Sequence, residues 1–135
     1  MIGSTIDRMN IGILLSVGFG GFIGAILRFS ISGFVQKATT SVMPYGTLTV
    51  NILGSFIIGF LFLYFQHVNL SLYQKTLLIT GLLGALTTFS TFSLDTVLLL
   101  QNEMYSKALL NVLLNVVFSV GATMLGMVIF RRVLG

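Results

Sequence analysis

Residues 87–93 read TTFSTFS, placing five hydroxyl side chains and two phenylalanines in a row among leucine, isoleucine and alanine. Serine and threonine hydroxyls both donate and accept hydrogen bonds. In an apolar helix they bond back to preceding carbonyls, either bending the helix or compensating for a local break. A break would free backbone carbonyls, which at membrane depth can hold a cation. Gly81 and Gly84, just upstream, lower the helical preference there. Phe89 and Phe92 stand three apart and project from similar faces. Their ring edges carry partial positive charge and can face an anion that a full charge would trap. The alternative for both rings is ordinary packing or lipid contact.

Other polar residues interrupt apolar runs. Asn51, in TLTVNILGS, offers two amide N–H donors to a substrate or to a neighbouring helix. Asn111, Asn115, Ser119 and Thr123 recur every four residues, which makes one slowly drifting stripe on a helix. Such a stripe serves equally as interhelical hydrogen bonding or as a line of donors for a desolvated anion. Arg28, in GAILRFS, reads as an arginine snorkelling to the interface or as a fixed positive charge at a vestibule that concentrates anions. Asp95 is the single carboxylate within an apolar run, near the end of that run, where it reaches the interface or pairs with a base. The one histidine, His67, lies in a polar turn beside Gln66 and Asn69 and reads as interfacial, since a metal site needs several ligands.

The elements that carry these residues must be membrane helices. The 135-residue chain is 56% hydrophobic and 7% charged, with a mean hydropathy of +1.05, whereas soluble domains are roughly a quarter charged. A bilayer core of ~30 Å needs about 20 apolar residues as helix. Four runs meet this, at about 11–34, 47–66, 76–100 and 108–130. The expected fold is therefore a single all-α transmembrane domain over residues 1–135, multi-pass in the inner (plasma) membrane, with the third helix broken near its middle. The first run is too long for a signal-peptide core and lacks a small-residue cleavage pattern after Arg28, so it reads as a retained span. Pro44, the only proline, separates the first and second runs.

Four spans put both termini on one side, with Arg8, Lys75, Arg131 and Arg132 there and Lys37 and Lys107 opposite. That four-against-two bias is weak and compatible with insertion either way up. The basic residues sit at the ends of apolar runs rather than in a cluster, the pattern of membrane flanks and not of a nucleic-acid-binding face. The absence of cysteine excludes a disulfide framework and thiolate metal sites. Small-residue pairs, Gly20/Gly24, Ser55/Gly59 and Ala122/Gly126, allow close helix contacts within one chain or between copies. Four helices enclose little by themselves, so oligomerisation is expected.

Three segments together, GGFIGAILRF (20–29), PYGTLTVNILGSFIIG (44–59) and GLLGALTTFSTFSLD (81–95), resemble the Fluc/CrcB family of fluoride channels. The resemblance implies an antiparallel, dual-topology homodimer with two fluoride pores. It implies that Asn51 faces the pore, that Phe89 and Phe92 present ring edges to fluoride, and that Ser90 and Thr91 are hydroxyls of the broken helix. Asn115, Ser119 and Thr123 fall on the family's fourth-helix polar track. Arg28 matches the vestibule arginine. Gly84 and Thr87 match the positions whose backbone carbonyls hold a structural sodium ion at the dimer centre. The chain departs from the family in carrying asparagine at 111 and 115, and Asp95 where many members have glutamate.

Fluoride is small and strongly hydrated, so a pore for it must replace water with many donors of moderate strength. Amides, hydroxyls and aryl edges meet that need without a cation that would bind too tightly. The sequence contains no hydrolytic constellation or nucleotide motif, which makes an enzyme unexpected and passive export down the electrochemical gradient the expected mode. The resemblance implies that this relieves fluoride entering an acid-exposed cell as HF and confers fluoride resistance. Two rivals stand beside this reading. A small proton-coupled multidrug antiporter needs an acid deep in its first helix, and residues 11–34 contain none. A non-transporting membrane assembly subunit would use the small-residue faces but gives the donor stripe no purpose.

Overall fold

The computed structural model describes residues 10–135, and Arg8 of the charge count lies outside them. Helix α1 (Ile11–Thr39) starts at Asn10, whose side chain accepts the Ile13 N–H at 2.9 Å, and ends at Thr40 in the left-handed region, φ 45°. This is ordinary N-terminal capping that removes one of the four unsatisfied donors of a helix start. Helix α2 (Tyr45–His67) follows Pro44, where the missing N–H costs nothing. Gln36 organises the connection between them. Its Nε2 donates to the Ser41 and Met43 carbonyls, while its Oε1 accepts the Gly46 N–H at 3.0 Å.

The third span, Leu72–Gln101, is composite. It comprises a first turn α3 (Leu72–Lys75) capped by a Ser71/Gln74 capping box, a π-helical segment (Thr76–Leu83), a short α4 (Gly84–Leu86) and α5 (Phe89–Gln101). Between α4 and α5, Thr87 and Thr88 are extended, with φ/ψ of −87°/156° and −151°/115°. The expected break is thus present near the middle of the span. The π-helical segment ahead of it has no counterpart in the sequence expectations; its wider turns contain Gly81, which meets the backbone of α1 at Val17. Helix α6 (Tyr105–Val133) is the fourth span. All four spans run a few residues beyond the apolar runs, because polar flanks such as Gln36, Gln101 and Arg131 continue the helices into the interfaces.

Helix α2 packs chiefly on α6, and α1 chiefly on the π-helical segment, with α1 also touching α2 and α4. The small-residue pairs explain both contacts. Gly20 and Gly24 lie directly against the carbonyls of Leu77 and Leu82, Gly59 against that of Thr123, and Gly126 against that of Phe56. All of these contacts are made within one chain. Val50, Leu83 and Leu86 are the buried cluster beneath the break, and an aromatic group seals the far end, where Phe130 meets Phe60 edge-on at 5.4 Å. His67 lies at the exposed end of α2 with its ring 5.1 Å from that of Phe130, consistent with an interfacial residue. Only 17% to 28% of each span's most apolar stretch is buried, so most of the apolar surface faces outward.

Candidate ion path at the helix break

The break leaves the Thr88 N–H outside the helical ladder, while its carbonyl, as the N-cap of α5, already accepts the first bond of that helix; Asn51 on α2 bonds both groups. The Thr88 N–H donates to Asn51 Oδ1 at 2.8 Å, and Asn51 Nδ2 donates to the Thr88 carbonyl at 3.2 Å. The backbone donor fixes which side of the amide is oxygen. Thr88 Oγ1 then caps α5 by accepting the Thr91 N–H at 3.1 Å, and donates to Thr91 Oγ1 at 3.1 Å; Ser90 Oγ lies 3.3 Å from it. Thr87 Oγ1 bonds back to the Leu83 carbonyl at 3.0 Å. The hydroxyl-rich run therefore both leaves the helix and restarts it, as its composition suggested.

The same bonds decide which carbonyls are released. In an unbroken helix the N–H groups of Thr88, Phe89 and Thr91 would close on the carbonyls of Gly84, Ala85 and Thr87. Here Thr88 N–H goes to Asn51 and Thr91 N–H to the Thr88 hydroxyl, so Gly84 and Thr87 lose those partners. Ala85 O instead accepts Arg28 Nε at 3.0 Å. Arg28 thus ties α1 to the end of α4, where the helix dipole favours a cation. That position combines the two readings of Arg28 only in part: the charge is anchored at the break rather than free to snorkel.

Beside the break runs an open groove of about 360 Å³. Asn51, Phe89, Phe92, Asn115, Ser119, Gly84 and Thr87 line it, and no charged side chain does so among the described residues. Arg28, Ser90, Thr91 and Thr123 lie outside its lining. The two rings stand 5.3 Å apart at 67°, an edge-to-face pair. Phe92 is 8% exposed, whereas Phe89 is 78% exposed and stands at the open side.

The α6 stripe divides by function. Asn115 Nδ2 donates to the Asn111 carbonyl at 2.9 Å and to Asn111 Oδ1 at 3.1 Å, and its own Oδ1 accepts Asn51 Nδ2 at 3.0 Å. Thr123 Oγ1 donates to the carbonyls of Ser55 (3.0 Å) and Ser119 (3.2 Å). These bonds are interhelical and intrahelical glue, the structural alternative of the sequence reading. Ser119 Oγ is different: it is buried with no hydrogen-bond partner among the described residues, an orphan polar atom beside the groove.

Two features lay beyond the sequence reading. Asn111 Nδ2 donates to Thr96 Oγ1 at 3.0 Å, joining α6 to α5. The four-residue spacing of the stripe signalled Asn111, but nothing local marked Thr96. Asp95 pairs with no base among the described residues; Thr47 Oγ1 on α2 donates to its Oδ2 at 3.0 Å. It borders two cavities of about 130 and 320 Å³ near Pro44, away from the groove.

Comparison with known proteins fits this arrangement. Residues 15–127 match the family described as CrcB-like protein, Camphor Resistance (CrcB). The chain is 59% identical over 123 residues to the fluoride-specific ion channel FluC of a Sulfurovum species, covering 91% of this chain and 97% of that protein. It is 51% identical to the protein of that name from a Nitratiruptor species, over 94% and 98% of the two chains. The Campylobacter lari protein of that name is 46% identical over 90% and 99%. With four apolar helices, a broken third span and a match over most of its length, the chain is a multi-pass membrane protein that belongs to the CrcB-like family.

Proposed function

We propose that this chain is a passive fluoride-selective channel that exports cytoplasmic fluoride down its electrochemical gradient. The names of its relatives support a fluoride channel, and a family of ion channels makes it no enzyme. The observation that carries the reading is an uncharged groove lined together by Phe89, Phe92 and Ser119, whose buried hydroxyl has no partner among the described residues. These are donors of moderate strength, able to replace water around a small anion without holding it. Asn51 and Asn115 form the polar wall, and Ser90, Thr91 and Thr123 support the path from outside the groove's lining. Arg28 supplies positive potential behind the break.

The groove is open on the side of Phe89, and a second copy closes it in this reading. An antiparallel homodimer of dual topology would contain two such paths. The released carbonyls of Gly84 and Thr87 suit a sodium ion, a hard cation that prefers oxygen ligands. Two carbonyls are few for one ion, and a two-fold axis would bring the same pair from the partner. The ion would act structurally, neutralising carbonyl dipoles at the break.

The test is fluoride efflux from proteoliposomes loaded with potassium fluoride, followed with a fluoride electrode after a potassium ionophore relieves charge build-up. Rapid efflux with chloride retained is expected; no fluoride release would overturn the reading. A proton-coupled antiporter is disfavoured because the one intramembrane acid, Asp95, is bonded to Thr47 and lies off the groove.

A further inference from the structure

We infer that Asn111 and Thr96 are positioning residues for the ion path, acting through a directed hydrogen-bond relay that begins on the backbone of the break at Thr88 and ends on the backbone of α5 at Phe92. The relay rests on the fluoride-channel reading and deepens it. Its first donor is the Thr88 N–H, which can only donate; its last acceptor is the Phe92 carbonyl, which can only accept. From Thr88 the bond passes to Asn51 Oδ1 (2.8 Å), and from Asn51 Nδ2 to Asn115 Oδ1 (3.0 Å). Asn115 Nδ2 then donates to Asn111 Oδ1 (3.1 Å), and Asn111 Nδ2 to Thr96 Oγ1 (3.0 Å). Thr96 Oγ1 finally donates to the Phe92 carbonyl at 2.9 Å.

Because both ends are fixed by backbone chemistry, every side-chain amide between them has one orientation. The circuit starts at the residue that caps α5 and returns to α5 four residues later, having crossed α2 and α6. Four of its residues, Thr88, Asn51, Asn115 and Phe92, line the groove; Asn111 and Thr96 do not. Asn111 is 1% exposed, so its only influence on an ion is through these bonds. The relay and its neighbouring bonds occupy the amide hydrogens of Asn51 and Asn115, so both amides are held in place as a fixed wall of the groove. Chains of this kind polarise along their length, so a break at one link is felt at the others.

The proposal predicts a phenotype of position rather than of mere folding. Thr96→Val is nearly isosteric and removes both the acceptor for Asn111 and the donor to Phe92. It should lower fluoride efflux roughly tenfold, the rate equivalent of one misdirected buried hydrogen bond, and lower the fluoride-to-chloride ratio with it. Thr96→Ser keeps the hydroxyl and should restore both. Asn111→Leu should match Thr96→Val, and the double variant should be no worse than either single one, since they cut the same chain. Efflux is measured per folded protein, with detergent melting temperature recorded for each variant. Should Asn111→Leu not fold, the Thr96 pair alone decides. Thr96→Val conducting with wild-type rate and selectivity, Thr96→Ser as impaired as Thr96→Val, or additive losses in the double variant would overturn the relay. A wild type that passes no fluoride would overturn the channel reading and the relay together, whereas a conducting wild type with indifferent Thr96 variants overturns the relay alone.

Discussion

Asn51 binds both backbone groups of Thr88, accepting its N–H at 2.8 Å and donating to its carbonyl at 3.2 Å, so one side chain supplies the acceptor that the broken helix takes from the Thr88 N–H. Asn51→Ala removes both bonds and leaves the Thr88 N–H unsatisfied where water is scarce, while its carbonyl keeps the first bond of α5. The expected cost is about 1–3 kcal/mol of stability, with strongly reduced fluoride efflux. Thermal unfolding in detergent and the liposome assay check the two effects. Asn51→Asp keeps the acceptor for Thr88 but loses the donors and adds a negative charge at the groove, so it should fold better than Asn51→Ala and conduct no better. Efflux from Asn51→Ala at the wild-type rate would remove Asn51 from the path.

The two phenylalanines differ in burial, and their variants should differ in kind. Phe89→Ile replaces a ring that is 78% exposed in the protomer, so it should cut efflux with little change in the protomer's own packing. Phe92→Ile alters a ring that is 8% exposed, so a stability loss of about 1–2 kcal/mol should accompany the loss of flux. Efflux electrode traces paired with melting temperatures separate these outcomes. Equal stability losses in both would contradict the exposed setting of Phe89.

These contrasts show what the sequence could convey. The four spans follow from apolar run length, and the break from a cluster of hydroxyls, because both are local properties of consecutive residues. The role of Asn51 left a choice between substrate and neighbouring helix, since its partner Thr88 is 37 residues away and only the fold joins them. The periodicity of Asn111, Asn115, Ser119 and Thr123 identified one helix face. It did not reveal that Thr123 turns its hydrogen to the Ser55 carbonyl while Ser119 keeps its own unpaired. The π-helical segment was invisible for a related reason: its wide turns answer the close approach of Gly20 and Gly24 on α1, a contact between distant segments.

Ser119 and Thr123 are one turn apart and should respond oppositely. Ser119→Ala removes a buried hydroxyl without a partner among the described residues, so stability should hold or rise by up to about 1 kcal/mol, while fluoride efflux falls. Thr123→Val removes the bond to the Ser55 carbonyl and should cost about 1 kcal/mol, with a smaller effect on efflux per folded protein. Measuring both quantities for both variants decides whether the unpaired hydroxyl belongs to the path. A Ser119→Ala channel with full flux would exclude it.

The glycine contacts bear on how α2 and α6 meet. Gly59 lies on the Thr123 carbonyl and Gly126 on the Phe56 carbonyl, so a methyl group at either position overlaps backbone that cannot rotate away. Gly59→Ala or Gly126→Ala should destabilise the protein by about 1–3 kcal/mol. Gly121→Ala, at a position with nothing within 4 Å among the described residues, should be tolerated by the protomer and serves as the control. Melting temperatures in detergent give the comparison.

Sodium dependence tests the released carbonyls. If Gly84 and Thr87 oxygens hold a sodium ion in the folded assembly and not in the unfolded chain, binding adds stability by mass action. A hundredfold excess of sodium over its dissociation constant contributes about 2.7 kcal/mol. Unfolding in sodium chloride should then occur at higher temperature than in N-methylglucamine chloride at equal ionic strength, which separates specific binding from screening. The carbonyls belong to the backbone and cannot be deleted, but their release can. Asn51→Ala returns the Thr88 N–H to compete for Gly84, and should shrink the sodium-induced shift as well as the baseline stability. Equal melting in the two salts for the wild type would leave these carbonyls without a cation.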